Sequence, residues 1–386
     1  MLYALLDILK DWLNEHDLYR FVSVLDQIQF RALAAAFCSF ALVMGFGKAT
    51  IRWLLRQKIG DSGATDAEAL RAHAGAKANV PTMGGVLIVG AILVSVLLLA
   101  DIRQFYVYLG LVVVLWHAVL GGFDDWLKLT AQRRGTGSRQ GLYAWEKFIF
   151  QIGIGLIVGY FAFKHSGESQ LQHVLNLPFQ KTWSAPGQLN PALVYLNLPM
   201  FMVFATLMIC GMSNAVNITD GMDGLAGGIS GIVCVGLFVM CLVAGDQGFA
   251  QYLLVPHIPG AGELAVLAGA TAGACLGFLW WNASPARVFM GDTGALSLGG
   301  IIGYLAIIVR QEFVVLLMGG VFALEIASVI AQVGFFKATG GKRLLRCAPF
   351  HHHLHLGGWP EQQIVARLWI ISVILVVIGL ASLKIR

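Results

Sequence analysis

Five aspartates and a run of histidines are the residues of this 386-residue chain best suited to chemistry. Asp124 and Asp125 are adjacent in GGFDDWLK, and Asp220 and Asp223 stand three apart in VNITDGMDGLAGG. Asp292 lies in FMGDTG, and HHHLH occupies 351–355. Adjacent carboxylates raise one another's pKa or recruit a cation, which is how a general base or a metal site begins. A solvated helix end would hold the same pair. Asp220 and Asp223 share a face if their segment is helical, but Asp at a helix start is also a cap worth about 1 kcal/mol. Around them Gly221, Gly224, Gly227 and Gly228 remove side chains, so a ligand could reach backbone N–H groups at a helix N-terminus. Asp292 sits in a Gly-Asp-Thr-Gly turn, where a structural role competes with a ligating one. Phe289 just before it is either a core aromatic or a stacking platform. Three consecutive histidines on a helix point in three directions, so one ion cannot take them all. Imidazoles bonded to phosphate oxygens suit them better, with Lys342, Arg343 and Arg346 upstream, although a basic cytoplasmic loop would look the same.

The elements that must position these groups are apolar. The chain is 58% hydrophobic and only 12% charged, with net charge +5 and a mean hydropathy of +0.74; a soluble domain has about a quarter of its residues charged. Apolar runs recur at 32–55, 83–100, 105–122, 145–163, 196–214, 224–243, 264–281, 295–309, 313–336 and 364–383. Each can cross most or all of roughly 30 Å of hydrocarbon, and none alternates as a barrel strand would. The expected fold is an all-α polytopic integral membrane protein with ten transmembrane helices, forming one membrane-embedded domain over 1–386. A small hairpin is expected in 164–195, outside the membrane. Asp7, Lys10, Asp11, Glu15 and Asp17 exclude a cleavable signal peptide from the first 20 residues. Trp53, Trp145, Trp280 and Trp281 fall at span ends, as an interfacial belt would.

Basic residues orient the bundle. Of the 26 Lys and Arg, 17 lie in or beside the loops that follow odd-numbered spans, so those loops are expected to be cytoplasmic and both termini outside. All the aspartate motifs and the histidines then fall on the cytoplasmic face. Glu325 alone lies mid-span, with Ser328 and Gln332 below it at helical spacing. Intramembrane carboxylates face protein or a cavity, so Glu325 is either a structural hydrogen-bonding group or the wall of a polar groove. The six cysteines show no metal-ligand spacing and fit as small packing residues. Carboxylates gathered with His, Lys and glycine turns suit Mg²⁺-dependent phosphoryl transfer, since Mg²⁺ takes one or two carboxylates plus substrate phosphates. A spanning protein does this at the interface when one substrate is a lipid.

The stretches PTMGG (81–85), DDWLK, NAVNITDGMDGLA, FMGDTG and PFHHH, with the C-terminal GWPEQQIVARLWIISVILVVIGLASLKIR, resemble the bacterial phospho-N-acetylmuramoyl-pentapeptide transferases in order and over nearly the whole chain. The resemblance implies transfer of phospho-MurNAc-pentapeptide from UDP-MurNAc-pentapeptide to undecaprenyl phosphate, giving lipid I and UMP for peptidoglycan synthesis. It implies Mg²⁺, a homodimer in the bacterial inner membrane bilayer, and no nucleic-acid partner. It assigns Asp292 as Mg²⁺ ligand, Asp124 and Asp125 as a catalytic pair, and His351 beside them. Lys77, Thr82, Lys128, Asn217, Asp220, His352 and His353 match the phosphate and sugar region. Gly221, Met222, Asp223, Asn282, Phe289 and Gln332 match the nucleoside pocket, with Phe289 stacking on uracil. Three positions and one loop depart from the family pattern: Ala295 for a usual Ser, Gln140 for a usual Lys, His355 for an acidic residue, and the loop AHAGAKANV. A sister transferase using a UDP-N-acetylhexosamine is the nearest alternative, and the histidine triplet and C-terminal match argue against it. An ion-coupled transporter would place its carboxylates near the midplane, whereas only Glu325 lies deep.

Overall fold

The computed structural model describes residues 2–57, 80–131, 141–166, 170–177, 180–182 and 190–384. Within them the backbone is mostly helical, the form that satisfies its own N–H and C=O groups where water is absent. After short helices at Leu2–Ile8 and Lys10–Glu15 come α1 (Ile28–Arg56), α2 (Gly85–Leu99), α3 (Phe105–Thr130), α4 (Ala144–His165), α5 (Leu198–Thr219) and α6 (Leu225–Gly245). Then follow α7 (Leu264–Asn282), α8 (Gly291–Ile308), α9 (Glu312–Met318), α10 (Gly320–Ala338), α11 (Phe350–His355) and α12 (Glu361–Ser382). Nine of the described helices are long and apolar enough to cross a membrane: α1, α3 to α8, α10 and α12. The expected second span is the shorter α2, at 15 residues. The 164–195 segment contains one antiparallel strand pair, Val174–Leu175 with Val194–Tyr195.

α8 is the axis of the bundle. Every residue from Asp292 to Ile308 is buried, and α3 and α5 pack along it. Close approach is made possible by glycine. A Cβ on Gly299 would stand 2.3 Å from the Met212 carbonyl of α5, and one on Gly303 would stand 2.6 Å from that of Met208. Small residues at helix contacts let backbones approach where lipid supplies no hydrophobic drive between helices. α7 runs along α1, and Arg31 of α1 ties to Glu263 at the head of α7 through a buried hydrogen bond of 2.8 Å.

Several boundaries differ from the sequence expectation, each for a physical reason. α3 continues eight residues beyond the expected end at 122, to Thr130, because Asp124, Asp125 and Lys128 find partners there. α8 begins at Gly291 rather than 295, so Asp292 is in a helical first turn. The expected ninth span is broken into α9 and α10 at Gly319–Gly320, where paired glycines lower the cost of leaving helical geometry. Beyond the break α10 leans out of the bundle, burying only Val321, Phe322, Glu325 and Ser328. Trp53, Trp145 and Trp280 are exposed, but Trp281 is only 4% exposed and lies against Gly47 of α1, so it is a packing residue and no part of a belt.

Candidate active site

The ends of α3, α4, α5 and α8 meet at one point, and the carboxylates converge there. Single ligand oxygens of Asp124, Asp125 and Asp292 all lie within 4.8 Å of one another, and all three residues are buried. Asp124 accepts the Leu142 N–H through Oδ1 at 2.7 Å. Its Oδ2 accepts Lys128 Nζ at 2.7 Å and Lys147 Nζ at 2.9 Å. The same two ammoniums reach Asp292, Lys128 at 3.1 Å and Lys147 at 2.6 Å. Two lysines therefore bridge two buried aspartates in a closed ring of charge. Lys128 is there because it lies four residues after Asp124 on the same helix face. Lys147 comes from the first turn of α4, whose Tyr143 and Glu146 form a capping box.

Asp125 faces the other way. Its Oδ1 accepts the Asp292 N–H at 3.0 Å, and its Oδ2 accepts the Thr293 N–H at 3.0 Å and the Thr293 hydroxyl at 2.7 Å. Asp220, the C-cap of α5, takes a hydrogen bond from the Gly291 backbone. It is half-buried at its surface yet ringed by protein atoms. That burial, and then the carboxylates of Asp292 and Asp125, push its pKa up to about 7. Thr82 lies beside Gly291, 3.1 Å from where a Cβ there would sit. The PTMGG segment is laced to FMG by Phe289 N–H to the Pro81 carbonyl, Gly84 N–H to the Phe289 carbonyl, and Gly85 N–H to the Met290 carbonyl, each at 2.8 Å.

Asp220 and Asp223 do not share a helix face, because residues 220–224 form a turn between α5 and α6. Asp223 is turned to the 282–290 loop, where Oδ2 accepts the Ala286 N–H at 3.1 Å. Asn282 fastens the same loops, accepting Gly224 N–H at 2.9 Å and donating to the Val288 carbonyl at 2.8 Å. Met222 is buried between them, Phe289 presents a half-buried ring, and Asn217 is half-buried in the last turn of α5.

The histidines do not point three ways: His351 and His352 both reach Gly221, their rings 4.2 Å apart, and His353 turns to the loop before α11. His351 is fully buried, and Glu325 accepts its backbone N–H at 3.2 Å and pairs with Nδ1 at 3.1 Å. Its Nε2 has no hydrogen-bond partner among the described residues and lies 2.5 Å from where a Cβ on Gly221 would be; His352 Nε2 lies 3.4 Å from that point. His353 Nδ1 accepts the Arg346 N–H at 3.1 Å. Gln332 uses its carbonyl oxygen on Leu344 N–H and Leu345 N–H, at 3.1 and 2.8 Å, closing the loop ahead of α11. Lys77, Arg139, Gln140 and most of AHAGAKANV lie outside the described residues.

Sequence reasoning missed Lys147, Thr293 and Glu361, which accepts the Asp223 N–H at 2.9 Å. The donor set suits a hard divalent cation. It is all carboxylate oxygen, and Asp124 and Asp292 already share two ammonium cations in a buried setting.

The chain is similar to known proteins over its whole length. The family model described as Glycosyl transferase family 4 matches residues 105–310, the stretch from α3 through α8. The phospho-N-acetylmuramoyl-pentapeptide-transferase of Thermodesulfovibrio yellowstonii is 40% identical over 391 residues, covering all of both chains. That of Desulfotalea psychrophila is 40% identical over 371 residues, covering 96% of this chain and 98% of its own. Full-length identity at this level, with every motif of the charged cluster inside the matched region, shows that the chain belongs to the phospho-N-acetylmuramoyl-pentapeptide-transferase family.

Proposed function

We propose that this chain transfers phospho-MurNAc-pentapeptide from UDP-MurNAc-pentapeptide to undecaprenyl phosphate, releasing UMP and forming lipid I. The observation that carries the reading is the ring of Asp124, Lys128, Lys147 and Asp292 at one end of a membrane bundle. Phosphoryl transfer asks mainly for positioning and charge neutralisation. Both substrates are anions, and holding them together supplies proximity worth about 7 kcal/mol or more. On arrival of the pyrophosphate, Lys128 and Lys147 exchange a carboxylate oxygen for a phosphate oxygen. Asp124 then has a free oxygen with which to take the proton of the acceptor phosphate. His351, turned by Glu325, presents Nε2 towards the glycine turn at 221, where a phosphate or sugar oxygen would complete it. Phe289 is the stacking surface for uracil, and the 221–224 turn borders the nucleoside.

Mg²⁺ would be held by Asp292, and when bound it would neutralise charge developing on the pyrophosphate. The acceptor lipid has an apolar approach of about 510 Å³ between α4, α5 and α10, lined by Phe148, Ile152, Leu156, Leu207, Asn214 and Ile330. In this reading the site faces the cytoplasm, both termini lie in the periplasm, α2 is the tenth span, and 1–386 is one domain in the bacterial inner membrane. The homodimer rests on family resemblance. Direct attack by the acceptor phosphate is preferred to an aspartyl-phosphate intermediate, because that phosphate is already a competent anionic nucleophile.

Purified protein incubated with UDP-MurNAc-pentapeptide, undecaprenyl phosphate and Mg²⁺ should form lipid I and UMP, and UDP-N-acetylglucosamine should not replace the donor. Turnover with UDP-N-acetylglucosamine alone would favour the sister transferase. Transfer of labelled UMP into the donor without any polyprenyl phosphate would reveal a covalent intermediate.

A further inference from the structure

We infer that Asp125 is a positioning residue: it closes the head of α8 and so aims the Asp292 side chain, without itself touching substrate. The inference rests on the transferase reading and refines it, because the resemblance treats Asp124 and Asp125 as one catalytic pair.

Neighbours on a helix project about 100° apart, and the two aspartates meet different groups. Asp124 faces both lysines. Asp125 is 4% exposed and faces the first turn of α8. The first N–H groups of any helix lack internal acceptors, and usually an oxygen-bearing residue just before the helix supplies one. Here that residue is Met290, which carries no oxygen. The acceptor comes from α3 instead. Asp125 takes Asp292 N–H, Thr293 N–H and the Thr293 hydroxyl, while Asp220 takes Gly291 N–H.

The approach is built into the backbone. Gly291 has φ +73°, and a Cβ on it would stand 2.7 Å from Asp125 Oδ2. Gly121, one turn earlier on α3, would place a Cβ 2.3 Å from the Asp292 carbonyl. Both oxygens of Asp125 are thus engaged by the segment that carries Asp292, whereas a base or nucleophile needs an oxygen turned to the substrate. The positive end of the α8 dipole also offsets the repulsion between Asp125 and Asp292. With its backbone fixed 3.0 Å from Asp125, Asp292 directs its carboxylate to the space shared with Lys128 and Lys147.

The test compares Asp125→Asn, Thr293→Val, Thr293→Ser and Asp124→Asn in purified full-length protein. Mn²⁺ affinity is read by electron paramagnetic resonance in the presence of UMP, and turnover is read across Mg²⁺ concentrations. Asp125→Asn and Thr293→Val should each weaken Mn²⁺ binding and raise the half-activating Mg²⁺ concentration by about 10- to 150-fold, the worth of one charge-assisted hydrogen bond. Turnover at saturating Mg²⁺ should stay within about 150-fold of wild type in both, since the same bond sets the scale. Thr293→Ser, which keeps the hydroxyl, should restore both readouts. Asp124→Asn should lose turnover that no Mg²⁺ concentration recovers. A loss of about 1,000-fold or more in Asp125→Asn at saturating Mg²⁺, with Mn²⁺ affinity unchanged, would have the size of a missing general base and would overturn the inference. If Asp125→Asn does not fold, Thr293→Val decides: unchanged Mn²⁺ binding overturns the inference, and weakened binding supports it. A wild-type protein that makes no lipid I would refute the transferase reading, and the Mn²⁺ comparison would still judge Asp125.

Discussion

Lys147→Met is the substitution whose cost the structure defines best. The side chain is 17% exposed, and its ammonium bonds Asp124 at 2.9 Å and Asp292 at 2.6 Å. Methionine keeps most of the side-chain length and removes the charge. Taking one partner from a buried ion pair costs about 3–5 kcal/mol when nothing replaces it. Lys128 still bridges both carboxylates, so the expected loss is smaller, about 2–4 kcal/mol, near the worth of one or two charge-assisted hydrogen bonds. At about 1.4 kcal/mol per decade, kcat/KM for UDP-MurNAc-pentapeptide should fall roughly 30- to 700-fold. Extra Mg²⁺ should not restore it, because Lys147 supplies a donor to phosphate and not a metal ligand. Lys147→Arg should keep part of the activity. The assay is lipid I formation by protein that elutes as wild type on gel filtration. Activity of Lys147→Met within about threefold of wild type would refute the reasoning, since a bridging role cannot be worth less than about 1 kcal/mol.

Gly299→Val should prevent folding, because its Cβ would stand 2.3 Å from the Met212 carbonyl on a helix that cannot move aside; recovery of monodisperse protein in detergent checks it. Glu325→Gln should lower kcat by about tenfold, one hydrogen bond's worth, by loosening His351. Glu325→Leu should also lower the Tm, measured by thermal unfolding, because the buried His351 N–H loses its acceptor. With Cys347 replaced by Ser, single cysteines at 130 and 340 should react with impermeant thiol reagents only after cells are opened, and labelling in intact cells would reverse the topology.

Asp124, Asp292 and the histidines were legible in the sequence because a polar group in a greasy chain must have a reason to be there. Lys147 was not, since a lysine at the end of a span is what membrane topology produces anyway. Its role depends on where the head of α4 lies relative to α3 and α8, and no local pattern encodes that. The same limit hid the division between Asp124 and Asp125. Their adjacency suggested a pair, whereas the α8 N-terminus, 167 residues away in sequence, claims one of them. Helix ends were misjudged where apolar content was the guide: α3 extends through charged residues that tertiary partners satisfy. The break at Gly319–Gly320 was visible as two glycines, but the bundle decides whether such a pair kinks a helix or merely packs it. Trp281 shows the converse, a residue with the right type and place for an interface that packs on a glycine of α1 instead.

The central claim is that the cluster at the ends of α3, α4 and α8 binds the metal and the nucleotide sugar together. An anomalous-scattering map of crystals grown with Mn²⁺ and UDP-MurNAc-pentapeptide tests it most directly. The expected result is one strong Mn²⁺ peak in contact with the Asp292 carboxylate, with the pyrophosphate between it and Lys128 and Lys147, and uracil against Phe289. A Mn²⁺ peak away from Asp292, or a nucleotide bound elsewhere on the protein, would contradict it.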